Sequence, residues 1–200
     1  AETPKELDFI GGYYVDGEYR CYSEPCFSIH KGTDAAAARI RRFNAREWLP
    51  RKGDTCQKAY TQVLADTSKT PIKYIKQSGC VFVAEGSWVD PYSNERIDDV
   101  LAIAIDHHIS LKEAHYYGGE DWTRSQRIDF SRDPINLMPV SISQKKKRSG
   151  RPGSLWMPEN KSYWCDYIVH REIVARRYSL RLPRSERDFH KEVKSLYCKY

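Results

Sequence analysis

No stretch of 18 consecutive apolar residues occurs anywhere in the 200-residue sequence, which excludes a helical membrane span. No two cysteines stand in C-x-x-C spacing, so the usual structural zinc site is excluded as well. Internal repeats are absent. The single biased stretch, QKKKRSGRPGS, is too short to be an independent disordered linker. The chain opens AETPKELDF, a small residue followed by polar ones. A signal peptidase leaves such an end, and an arbitrary cut would give the same, so a secreted or periplasmic location is an expectation only.

Hydrophobic residues make up 40% of the chain, enough for one sizeable core. The expected organisation is a Tyr- and Gly-rich N-terminal extension over residues 1–32 and a single domain over residues 33–200. Six cysteines suit disulfides in an oxidising compartment, with free buried thiols in a reducing one as the alternative. Of fifteen possible connectivities, the one linking neighbouring segments is Cys21–Cys26, Cys56–Cys80 and Cys165–Cys198. Charge is uneven: residues 144–200 carry 15 Lys and Arg against 6 Asp and Glu, and the remainder is net acidic. The densest run holds Lys145, Lys146, Lys147, Arg148 and Arg151. It suits the backbone of a polyanion such as nucleic acid, or is simply a solvated loop.

Hydrophobic period and punctuation give an α+β class. Thr33 or Asp34 can cap a helix over about 34–48 that stops before Pro50, and CQKAYTQVLADTS reads as a second helix. GCVFVAEGSWVDPYS reads as a strand pair or hairpin, and IDDVLAIAIDHHIS as another strand. SLKEAHYYGG is a short helix closed by Gly118, DWTRSQRIDFSRD a further helix, and PINLMPVSIS an extended return. Two helices finish the chain, the first with Trp164, Ile168, Ala175 and Tyr178 on one stripe and the second begun at Pro183. Their aromatic residues read as core rather than as stacking platforms for bases. Asn160-Lys161-Ser162 matches a short glycosylation sequon.

The chemistry-bearing stretch is Asp106-His107-His108 at the end of an apolar strand. Cleaving a phosphodiester needs a base to activate water, and a cation to stabilise charge on the transition state and the departing oxygen. A His beside an oxygen ligand could serve both needs if the strand end turns. Asn136 could then pin the turn through its amide. Gln144 could offer a carbonyl oxygen to a hard cation. His108 has no such role.

From Ile105-Asp106-His107 onward the sequence resembles the HNH nucleases of the ββα-metal (His-Me finger) superfamily. Within it, the nearest likeness is to the group similar to the C-terminal domain of GmrSD restriction endonucleases and related secreted deoxyribonucleases. Leu111, Ala114, Gly118-Gly119, Trp122, Arg127, Phe130, Asp133-Pro134, Asn136-Leu137 and Trp156-Met157-Pro158 fall in register, and the likeness covers roughly residues 40–180. It implies a ββα-metal core with additional helices, stabilised by disulfides, and a largely non-specific endonuclease acting on DNA or RNA. One divalent cation would serve it, Mg²⁺ first and Mn²⁺ or Zn²⁺ otherwise. The resemblance makes Asp106 a metal ligand, His107 the general base and Asn136 the residue that orients the His-bearing loop. The family's second Asn ligand aligns with Lys145, and a one-residue deletion puts Gln144 there instead. Ser110 replaces a usual proline, Ala45 and Tyr60 replace arginines, and Ser131-Arg132 replaces part of a Phe-Ala-Asn-Asp run. These departures keep open a second reading, a degenerate nuclease fold that binds nucleic acid or another partner without cutting.

Overall fold

In a computed structural model the described residues are 12–15 and 18–21, for which only the backbone is followed, together with 42–50 and 56–198. Strands β1 (Gly12–Val15) and β2 (Glu18–Cys21) form an antiparallel hairpin. After α1 (Lys58–Thr67), β3 (Lys73–Gln77) pairs with β4 (Cys80–Glu85), and the short β5 (Trp88–Val89) pairs with β6 (Arg96–Ile97). Next come β7 (Ile103–His107), α2 (Leu111–Tyr116) and α3 (Arg124–Arg132), then β8 (Leu137–Ser141), α4 (Ile142–Arg148), α5 (Trp164–Arg177) and α6 (Arg184–Tyr197). The class is mixed α+β with small antiparallel sheets.

Three expectations change. Residues 42–44 are irregular and only Ala45–Glu47 make a 3₁₀ turn, so no helix reaches 48; the earlier part of that segment lies outside the described residues. The segment from Cys80 does not close a hairpin on itself, because β4 turns back onto β3 through Ser78 and Gly79, both at positive φ. The basic run is a helix rather than a loop. Ser141 caps α4 by accepting a hydrogen bond from Gln144 N at 3.2 Å, and Ser149 ends it in the left-handed region.

β7 and β8 hold the centre. They pair antiparallel from Ile103↔Ser141 to His107↔Leu137, and α4 follows β8 with no intervening loop. Ile105 and Leu137 pack with Val63 of α1, while Met138 and Val140 pack with Tyr92, Tyr167, Ile168 and Val193. The alternation of side chains along a strand thus buries both faces of the pair. A third cluster around Trp48, Phe130, Tyr117 and Val174 ties α2 and α3 to α5. The stripe expected on α5 is divided: Ile168 and Trp164 join the cluster under β8, Ala175 and Tyr178 the one around Trp48.

Disulfides join Cys56 to Cys80 and Cys165 to Cys198, the second tying α5 to the end of α6. They fit an oxidising compartment. The pairing expected for Cys21 and Cys26 lies outside the described residues. Among the described residues no helix is long and apolar enough to cross a membrane.

Candidate active site

β7 ends at His107, and the turn after it is built from caps. Ser110 accepts a hydrogen bond from Glu113 N at 3.2 Å while Glu113 accepts one from Ser110 N at 2.8 Å, a reciprocal pair that starts α2. Serine thus supplies the stop that a proline would otherwise impose at this position. Asn136 locks the same turn from across the sheet. Its Oδ1 accepts from Ile109 N at 2.9 Å and its Nδ2 donates to Ile109 O at 3.0 Å, and its own carbonyl accepts from His108 N at 2.8 Å. Asp133 in turn fixes Asn136: its side chain caps the turn Pro134–Asn136 and accepts from Tyr178 Oη at 2.6 Å.

His107 is 8% exposed, and its Nε2 lies 3.0 Å from the Ser131 carbonyl near the C-terminal end of α3. That carbonyl is among the last four of a helix, which have no partner within it. It can only accept, so Nε2 carries the proton and Nδ1 keeps its lone pair. Burial pushes the imidazole down to about 4, against the Ser131 carbonyl and Asp106, which both favour the charged form. The ring is neutral at neutral pH, the state a general base requires.

Asp106 occupies the alternate pleat position, opposite Met138, and turns toward α4. Its Oδ2 accepts from Tyr92 Oη at 2.9 Å and from Arg148 Nη1 at 2.9 Å. Burial raises its carboxyl and Arg148, with His107 and Lys145, lowers it further, so the group stays below the ordinary carboxylate range. Asp106 and His107 are therefore anchored separately, one on α4 and the other on α3.

Arg148 departs most from its expected role. Its side chain is fully buried and cannot reach a phosphate backbone outside. Besides Asp106 and Tyr92, its guanidinium donates to the carbonyls of His107 and His108 and to Glu113. Arg171 continues the network, donating to His108 O at 2.7 Å, Glu113 at 2.6 Å and Glu186 at 2.8 Å. Two guanidiniums and three carboxylates thus sit under the strand end, with Tyr167 beside both cations. Tyr92, Glu113, Arg171 and Glu186 were not expected in the site. Signals existed: Ser110-Leu111-Lys112-Glu113 is a capping-box pattern, and Arg171 stands at a core position of α5, four residues after Tyr167 and three before Val174.

Gln144 lies four residues before Arg148, on the face of α4 that meets β7. It is 3% exposed, and its Nε2 is 3.4 Å from Glu159 Oε2. A carboxylate can only accept, which orients the amide with Nε2 toward Glu159. Oε1 is left buried with no hydrogen-bond partner. An orphaned carbonyl oxygen of this kind and an ionised carboxylate such as Asp106 on β7 are donor types that suit a hard divalent cation. Among the described residues no group of three His, Cys, Asp or Glu side chains is gathered to hold a metal.

The remaining cations differ from one another. Lys145 donates to Ile105 O at 2.7 Å, Lys147 pairs with Glu159 at 2.8 Å, and Lys146 is exposed. Arg151 folds back on Lys147 O and Arg148 O, capping the C-terminus of α4. His108 stacks on His170 at 4.7 Å, away from the strand end. Asn160 of the sequon spends its amide on Pro91 O and its oxygen on Ser162.

No protein-family model, curated protein or solved structure matches this chain.

The Asn136 clamp has a direct test. Asn136→Ala leaves the buried N–H and C=O of Ile109 without partners, at a cost of about 2 kcal/mol. Its melting temperature is expected to fall by roughly 4–8 °C in a thermal denaturation scan.

Proposed function

We propose that this chain is a metal-dependent, largely non-specific endonuclease that hydrolyses phosphodiester bonds of DNA, with His107 as general base. The observation that carries the proposal is His107 at a capped strand end, its Nε2 tied to a carbonyl and its turn clamped by Asn136. The succession of β7, β8 and α4 is consistent with a ββα-metal core.

In this reading the lone pair of Nδ1 takes the proton of the attacking water. The Ser131 carbonyl, which accepts the Nε2 proton, stabilises the imidazolium that results. Asn136 keeps the ring's backbone from shifting as charge develops. Asp106 and Gln144 would hold one divalent cation, Mg²⁺ first, which when bound supplies charge stabilisation at the scissile phosphate and the departing oxygen. Lys146 and Lys147 on the solvent side of α4 bind the flanking backbone without reading bases. The disulfides suit work outside the cytosol.

Supercoiled plasmid tests the proposal: nicking should require Mg²⁺ or Mn²⁺ and stop with chelator. The backbone contacts have their own readout. Lys146→Ala/Lys147→Ala should lower the slope of log affinity against log salt by about two between roughly 50 and 200 mM, measured by fluorescence anisotropy on duplex DNA.

A second reading, binding without cleavage, draws on one observation. Asp106 Oδ2 is already neutralised by Arg148 and bonded by Tyr92, which reduces the charge left for a cation. DNA binding with no divalent-dependent nicking would favour it.

A further inference from the structure

Away from the His107 site, α5, α6 and the segment between them enclose a cavity of about 740 Å³. Its floor is apolar, made by Ala175, Leu180 and Leu182. Its rim is cationic, with Arg176, Arg181, Arg187, Lys191 and Lys194 against the single carboxylate of Glu172. Part of that charge is used: Lys194 binds Glu172 at 2.8 Å, and Arg187 donates to Leu182 O at 2.8 Å. Lys191 comes only within 3.9 Å of Asp188. Arg176 and Arg181 have no ion pair or side-chain hydrogen bond among the described residues. His190 also lines the cavity, 1% exposed, and neither of its ring nitrogens completes a hydrogen bond; Glu172 and Glu186 lie 3.7 and 3.5 Å away.

Each feature alone is ordinary. Together they make a cationic cleft: two exposed guanidinium forks with no acceptor from the protein, a buried imidazole held between two carboxylates, and an aliphatic floor. A guanidinium fork matches the paired oxygens of a phosphate. The floor adds a preference for an apolar body on the same molecule.

We infer that this cavity binds a small phosphomonoester with an apolar body, its phosphate on Arg176 and Arg181 and its body on Leu180 and Leu182. A free nucleotide and an alkyl phosphate share that chemistry. The inference does not depend on the nuclease reading, since Arg176, Arg181, Leu180 and Leu182 take no part in the His107 site.

Isothermal titration of the whole chain with AMP, hexyl phosphate and inorganic phosphate tests it. At least one of the two organic phosphates should bind at one site per chain with a Kd below about 1 mM, and more tightly than inorganic phosphate. Arg176→Ala/Arg181→Ala, which alters only exposed side chains, should weaken that binding about tenfold or more. Binding of AMP but not hexyl phosphate identifies a nucleotide site, and the reverse an alkyl phosphate site. Absence of binding by both, affinity no better than that of inorganic phosphate, or unchanged affinity in the double variant overturns the inference.

Discussion

His107→Ala is expected to reduce plasmid cleavage by about 10²–10⁴-fold while leaving the fold and DNA affinity in place. The reason lies in how little else the side chain does. It contributes one hydrogen bond, to Ser131 O, and the small cavity and unpaired carbonyl left behind together cost about 1–3 kcal/mol, below the stability of a typical domain. In the proposed function the phosphate contacts lie elsewhere, on the solvent side of α4. Circular dichroism and anisotropy should therefore match the parent while the rate collapses. A variant that cuts as fast as the parent removes His107 from the chemistry, whatever the rest of the site does.

The largest effect on stability is expected from Arg148→Ala. Removing this guanidinium strips hydrogen bonds from the carbonyls of His107 and His108 and leaves Asp106 and Glu113 buried without their shared cation. Breaking one partner of a buried ion pair costs about 3–5 kcal/mol, because the remaining charge keeps its desolvation penalty. In a chain of this length that lowers the melting temperature by roughly 6–20 °C. Lys146→Ala, two residues away on the same helix, should change the stability by no more than about 0.5 kcal/mol, as expected for an exposed side chain. Equal effects of the two substitutions in differential scanning calorimetry would contradict the buried role of Arg148.

The contrast between Arg148 and Lys146 also shows where the sequence was readable. Helices with a clear start signal, such as α2 after Ser110 and α6 after Pro183, were legible because local chemistry and packing agree in them. β7 was legible as an Ile-rich run. β3 was not: Lys73–Gln77 is exposed at all five positions, so no alternation marks it, and its partner β4 was assigned to the wrong hairpin. α4 escaped notice because seven residues, four of them cations, carry no apolar period. A basic run does not say which of its cations turns inward. Only the four-residue spacing of the two buried positions, Gln144 and Arg148, distinguishes them, and that spacing shows once β7 lies against the helix.

In the site, the motif order singled out His107, Asp106, Asn136 and Gln144. Each of them has a partner, and most of the partners are distant in sequence: Tyr92 and Arg148 for Asp106, Ser131 from α3 for His107, Ile109 for Asn136 and Glu159 for Gln144. Long-range ion pairs of this kind leave no local period in a sequence. A polar residue at a core position, as at Arg171, is the trace they do leave.

The central claim, divalent-dependent phosphodiester cleavage at the end of β7, is tested most directly by incubating supercoiled plasmid with the parent protein and with His107→Ala. Each should be run with Mg²⁺, with Mn²⁺ and with chelator. Nicked and then linear DNA is expected from the parent with a divalent ion only, and none from the variant under any condition. Plasmid left supercoiled by the parent in both metals, or cut equally by parent and variant, would contradict the claim.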